Sequence, residues 1–426
     1  MSRRVYADDV RRTVAAAALV VGPTLTFVAA LDRLPAAAEV TSPAPAGSMA
    51  PQLVNDAAGN VILSWLEPSP GNRHRFSFAV RAKGRWTAAR TIAEEDRVFA
   101  NWADVPAIAV LSDGTWAAHW LSATGRGSYD VKVSTSRDRG HSWSAPIVPH
   151  RDGTLTEHGF ASLGTWPGGS LGMVWLDGRD YAGHGPPGMH TTKGQMALRG
   201  ATFRDGKLAD EWLVDPRVCD CCPTALARTN RGVVVAYRDR SEQEVRDISI
   251  VRYESGRWLA PARVHADDWA IGGCPVNGPA LASHGDRVAI AWFSAAADVA
   301  RVNVALSQDA GATFGAPVRV DDGLPEGRVD LLMDEDGSVL VTWIERAAGG
   351  WELRMRRVDA RGDKSDAVTV TRVSANRSSG YPRIAAARNE LVFAWTDGRV
   401  KTAVAPRTLE PRTQAVRRDE TRSVPE

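Results

Sequence analysis

Val288-Ala289-Ile290-Ala291-Trp292 is an unbroken apolar run closed by an aromatic. A run this short and this apolar reads as a strand buried on both faces. The pattern recurs at Val61-Ile62-Leu63-Ser64-Trp65, Ala117-Ala118-His119-Trp120, Gly172-Met173-Val174-Trp175, Val233-Val234-Val235-Ala236-Tyr237, Val339-Leu340-Val341-Thr342-Trp343 and Leu391-Val392-Phe393-Ala394-Trp395. The closing aromatics stand 55, 55, 62, 55, 51 and 52 residues apart. That is the spacing of a repeat architecture.

A short apolar strand precedes each run, often opened by proline (Pro51, Pro106, Pro223, Pro279, Pro382), and a tight turn such as Leu111-Ser112-Asp113-Gly114 separates the two. After each run come an alternating strand, a glycine turn and another strand, as in Ile248 to Trp258. Each unit is therefore four short antiparallel strands, with no helical period between units. The expected fold is all-β: a β-propeller of seven four-stranded blades, with six blades and one irregular unit as the alternative. The last unit stops after its third strand, near Thr402-Ala403-Val404, so a segment between Pro35 and Pro51 is expected to supply the fourth strand.

The N-terminus carries Arg3, Arg4, Arg11 and Arg12, then an apolar run from Val14 to Leu31 interrupted by Gly22-Pro23, then Pro35-Ala36-Ala37-Ala38. These are the parts of a signal peptide, so residues 1–38 are expected to direct export to a periplasmic or secreted location. An uncleaved N-terminal anchor is the alternative, and would be the chain's sole link to a membrane. Residues 39–405 form the propeller domain, and residues 406–426, without apolar period, form a disordered tail. A net charge of +2 without a basic stripe excludes the electrostatic footprint of a nucleic-acid binder. No nucleotide cofactor is implied, and a monomer is expected.

Two turns are more specific. Ser136-Arg137-Asp138-Arg139-Gly140-His141-Ser142-Trp143 and Ser307-Gln308-Asp309-Ala310-Gly311-Ala312-Thr313-Phe314 share Ser-x-Asp-x-Gly-x-x-(Trp/Phe), and both lie between the third and fourth strands of their units. This resembles the Asp box, or BNR repeat, of the sialidase superfamily. In each, the Asp is expected to accept turn N–H groups, the Gly to take a positive φ and the aromatic to plug the blade. The resemblance implies a sialidase-like propeller whose Asp boxes are structural and face away from the ligand face.

That opposite face gathers the strand-two exits Asp177-Gly178-Arg179-Asp180, Arg238-Asp239-Arg240, Glu345-Arg346 and Asp397-Gly398-Arg399, together with His158 and Tyr381. By the resemblance, Arg179, Arg238 and Arg399 would clamp an anionic glycan and Tyr381 would be the nucleophile of an exo-α-sialidase-type glycoside hydrolase. The family's early Phe/Tyr-Arg-Ile-Pro motif is missing, and no glutamate can be assigned to Tyr381. Glycan binding without hydrolysis is also compatible with this face.

The same face carries Cys219-Asp220-Cys221-Cys222-Pro223, three of the chain's four cysteines, and Cys274 follows in the next unit. His184, Met189 and His190 lie in the preceding unit's long loop, adjacent to the cysteines in a propeller. Thiolates, imidazoles and a thioether suit copper(I); cysteine and histidine alone suit zinc. The spacing is not that of a zinc finger. Two disulfides in an oxidising compartment, or thiol redox chemistry, are the other readings. There is no Gly-x-Ser-x-Gly, and Ala225 stands where a sulfatase motif needs arginine. The leading expectation is an exported metal-binding propeller; the second is the hydrolase.

Overall fold

The computed structural model describes residues 34–407 apart from 72, 185–193 and 375. Met189, His190, the basic and apolar parts of the expected signal peptide and nearly all of the C-terminal tail lie outside the described residues. No helix among the described residues is long and apolar enough to cross a membrane.

Seven antiparallel sheets surround a common axis. Their innermost strands are Met49–Asn55, Ala107–Val110, His158–Thr165, Ala225–Arg228, Ala280–His284, Leu324–Met333 and Arg383–Ala386, for blades 1 to 7 in chain order. Each second strand carries one of the repeated aromatics, and all seven are buried. Blade 2 is the irregular one, with its fourth strand reduced to a bridge between Val133 and Ile147. In blade 7, Ala38–Val40 pairs antiparallel with Thr402 to Val404. The N-terminal segment thus supplies the missing strand, as expected, and Leu34 just before it is buried against Leu391 and Trp395.

The apolar runs are explained by what lies on either side of them. In blade 1, Val61, Leu63 and Trp65 pack toward blade 7, while Ile62 and Leu66 pack toward Phe78 and blade 2. Each sheet is covered on both faces by its neighbours, so alternation between apolar and polar disappears. Truncating one closing aromatic to Ala would cost about 3–5 kcal/mol. In three blades the indole end is satisfied by a carboxylate two residues further along the same strand. Trp65 Nε1 donates to Glu67 at 2.6 Å, Trp175 Nε1 to Asp177 at 2.8 Å and Trp343 Nε1 to Glu345 at 2.7 Å. Tyr237 similarly donates its hydroxyl to Asp215 at 2.6 Å.

Both Asp boxes form the expected turn. Asp138 accepts from Ser142 N at 2.9 Å and Ser136 Oγ at 2.8 Å, and Ser136 Oγ accepts from Gly140 N at 2.8 Å. The second box repeats this with Asp309, Thr313 N at 2.9 Å, Ser307 and Gly311. Gly140 has φ +75°, and a Cβ there would lie 2.5 Å from the Phe78 ring of the preceding blade. Trp143 meets the same ring edge to face, and Phe314 packs on the core between blades 4 and 5.

Candidate functional site

The cysteine loop is placed by backbone pairing at both ends. Val218 bridges Asp239, Cys219 N donates to Arg238 O at 3.0 Å, and Pro223-Thr224 leads into the inner strand of blade 4. The Cys274 loop of blade 5 is pressed against it, since a Cβ at Gly278 would sit 2.1 Å from Pro223 O. This close approach requires glycine.

The thiols of Cys219, Cys221 and Cys222 lie within 4.8 Å of one another. Cys219 and Cys222 are each 1% exposed, and their sulfurs are 3.4 Å apart in a hydrogen bond. Cys221 is half-buried and hydrogen-bonds the exposed Cys274. All four are free thiols, so neither expected disulfide is present. Hydrogen bonds from Cys221 and Cys222 hold the Cys219 thiol well below its ordinary range, with the Arg246 guanidinium 3.3 Å away in support. Its hydrogen bond to Cys219 pushes Cys221 up, and burial pushes Cys222 up. The cluster favours one thiolate and resists more unless a cation enters.

The residues expected to serve an anionic glycan are occupied otherwise. Arg238 is buried and donates to three backbone carbonyls, Asn277 at 2.9 Å, Arg246 at 2.6 Å and Phe293 at 2.7 Å. It is a pillar under the two cysteine loops. Tyr381 is 2% exposed and donates its hydroxyl to Val276 O at 2.7 Å, so it fixes the Cys274 loop from across the ring. Arg179 is held by Asp177 at 2.7 Å and Glu211 at 2.8 Å. Arg399 is half-exposed at the start of the third strand of blade 7. These four side chains do not converge on one ligand. His184 is exposed and does not join the thiol cluster. Its loop does reach the site through Tyr181, which hydrogen-bonds Asp220 at 2.5 Å.

A second cluster joins blades 2 and 3. His150 and His158 stack at 3.8 Å between ring centroids, 13° from parallel. Asp130 flanks one edge of the stack, 3.4 Å from His150 and 3.2 Å from His158, and Asp152 the other, at 2.7 and 3.3 Å. Burial opposes charge on His158, but the two carboxylates prevail and lift its pKa to about 9. One ion cannot lie in the planes of two parallel rings, so the stacked pair cannot chelate a single ion through both imidazoles, and the flanking carboxylates let it hold a proton. His158 stands out in the sequence as a first-strand lead-in; His150, Asp130 and Asp152 carry no sequence signal.

Between the inner strands lies an axial cavity of about 200 Å³. Asp104 and His119 line it. Burial raises Asp104 to about 7, and lowers His119 to about 4.

No protein-family model matches the chain, and no curated relative is found. Several solved structures are similar in shape. A Dyadobacter fermentans protein of unknown function is 13% identical, with a TM-score of 0.48 over 88% of this chain and 98% of its own. The Penicillium chrysogenum α-L-arabinanase, solved with arabinobiose, is 11% identical with a TM-score of 0.48 over 88% and 98%. A variant of the Streptococcus pneumoniae NanB sialidase is 11% identical with a TM-score of 0.44 over 82% and 83%. The seven-bladed ring with two complete Asp boxes on one face decides the fold. It is a seven-bladed β-propeller. Within this propeller the thiols and the histidine stack occupy the face opposite the Asp boxes.

Proposed function

We propose that this sialidase-like propeller is an exported binding protein for a thiophilic metal ion, copper(I) or zinc. The observation that carries the proposal is the convergence of Cys219, Cys221 and Cys222 within 4.8 Å as free thiols, with Cys274 in contact. All-sulfur donors select soft or borderline ions. Tetrahedral zinc–sulfur bonds of about 2.3 Å place ligand sulfurs about 3.8 Å apart. The 3.4 Å between Cys219 and Cys222 needs to open by only a few tenths of an ångström. An ion would displace the thiol protons and compensate the charge that burial otherwise disfavours on these sulfurs. His184 is not needed in this set.

The test is elemental analysis with a free-thiol count on protein purified without chelators or reductant, for the wild type, Cys221→Ser and Cys221→Ser/Cys222→Ser. Near-stoichiometric metal in the wild type and its loss in the double variant, with the β-sheet circular dichroism retained, is the expected result. A double variant that keeps full occupancy overturns the proposal. The hydrolase alternative has no comparable support, because Arg238 and Tyr381 are already committed to backbone carbonyls.

A further inference from the structure

The four thiols are graded by depth as well as gathered. Cys274 is exposed, Cys221 is half-buried, and Cys219 and Cys222 are closed off from solvent. The sulfurs of Cys219, Cys221 and Cys222 lie within 4.8 Å of one another, and the Cys274 loop is packed against theirs where Gly278 meets Pro223. The innermost pair is backed by Arg246 and by the Arg238 pillar, so solvent reaches the cluster from the Cys274 side.

The Cys274 arm is built unequally. On one side Gly272 and Gly273 are exposed, with nothing within 4 Å of where a Cβ would be. On the other, Val276 O is held by the Tyr381 hydroxyl at 2.7 Å and Gly278 is wedged on Pro223. The arm is anchored on the protein side and unencumbered on the solvent side. A site made only to retain an ion has no use for an exposed ligand on such an arm. A site that must receive an ion from another molecule does.

We propose, resting on the metal-binding reading above, that Cys274 is the receiving ligand of a stepwise exchange in which an ion carried on another molecule's thiolates passes through Cys221 to Cys219 and Cys222. At each step one metal–sulfur bond forms as one breaks. The departing donor thiolate takes up the proton released by the incoming cysteine, and the ion keeps its oxidation state. The partner is therefore a carrier that holds the ion by sulfur, whether a small thiol or a protein with an exposed thiolate pair. Buried thiols alone cannot enter the mixed complex that such an exchange requires.

The experiment loads metal-free, reduced protein with copper(I) presented as its glutathione complex and follows thiolate-to-metal absorbance by stopped flow, with final occupancy from elemental analysis. Cys274→Ser, an exposed change that leaves the fold intact, is expected to slow loading at least tenfold while final occupancy stays within about 20% of the wild type, as a tenfold rate effect without a matching equilibrium effect defines a kinetic role. Cys221→Ser is expected to lower both rate and occupancy. An unchanged rate in Cys274→Ser overturns the relay, and so does a parallel loss of rate and occupancy, which would make Cys274 an equal ligand. A wild type that stays metal-free at equilibrium is a different result: it removes the metal-binding reading itself, and the relay with it.

Discussion

The two faces of the ring satisfy their polar groups in opposite ways. On one, Asp138 and Asp309 find every partner within four residues of chain, and Asp309 is held down to about 2 despite some burial, by Thr313 and Ser307. On the other, His150, His158, Asp130, Asp152 and Asp177 come from two blades and the loop between them, and both ring nitrogens of His158 are buried without a well-aligned hydrogen bond. Local satisfaction makes a staple that any blade can carry. Long-range, imperfect satisfaction makes a site whose state depends on protons or ions.

The comparison breaks first at Asp177, which is fully buried between Trp175, Arg179 and His158. Asp177→Ala leaves a buried indole N–H unpaired and takes one carboxylate from both Arg179 and His158, and is expected to cost about 3–5 kcal/mol in urea unfolding. A loss under 1 kcal/mol would put the two faces on equal terms. The next effect is on pH. Because His158 is raised to about 9 from an ordinary 6.5, its stabilisation is fully present below pH 6.5 and is lost as pH climbs through 9. Unfolding free energy should fall by about 2–3 kcal/mol across that window, and His158→Gln should flatten the profile.

Asp104 works in the reverse sense to the Asp boxes. Its carboxyl, raised to about 7 by burial, penalises the folded state progressively from about pH 4 and in full above 7, while Phe160 N still donates to Oδ1 at 2.8 Å. Asp104→Asn keeps that acceptor and should stabilise the protein at pH 8 by about 1–2 kcal/mol, with little gain near pH 4, where unfolded aspartate is itself half-protonated. Destabilisation at pH 8 would show that the charged form is needed in the cavity. The smallest effect is expected at the box itself: Asp309→Ala removes bonds from Thr313 and Ser307 at a partly exposed turn, for about 1 kcal/mol in thermal unfolding.

What could be read from sequence follows the same division. The aromatic-ended runs and the Ser-x-Asp-x-Gly turns are local, so period and spacing were enough to place blades, turns and ring closure. The thiol cluster was legible because three cysteines adjoin in sequence and the fourth lies one repeat on. The Asp-x-Arg turns are compatible in isolation with salt-bridged loops as well as with a ligand clamp, and Asp177 with Arg179 is the former: Asp177 serves an indole and an arginine at once, and Glu345 serves Trp343. Trp-x-(Asp/Glu) at Trp65, Trp175 and Trp343 was the available signal. Arg238 and Tyr381 read as ligand-binding residues in sequence, because their partners are backbone carbonyls, which no residue pattern records. His150 and Asp130 face each other across the bridged outer strands of blade 2, and they reach His158 only because neighbouring blades pack side by side.

One feature of the ring bears on how the chain is made. Val400–Pro406 must slot between Glu390–Thr396 and the early strand Ala38–Val40. Six blades can stack as they emerge from the ribosome, but the seventh cannot be completed until Val400–Pro406 has followed them. Until then Ala38–Val40 has no partner and its backbone edge is open to any extended segment nearby. Closure is thus a late, single event that ties the start of the domain to its end.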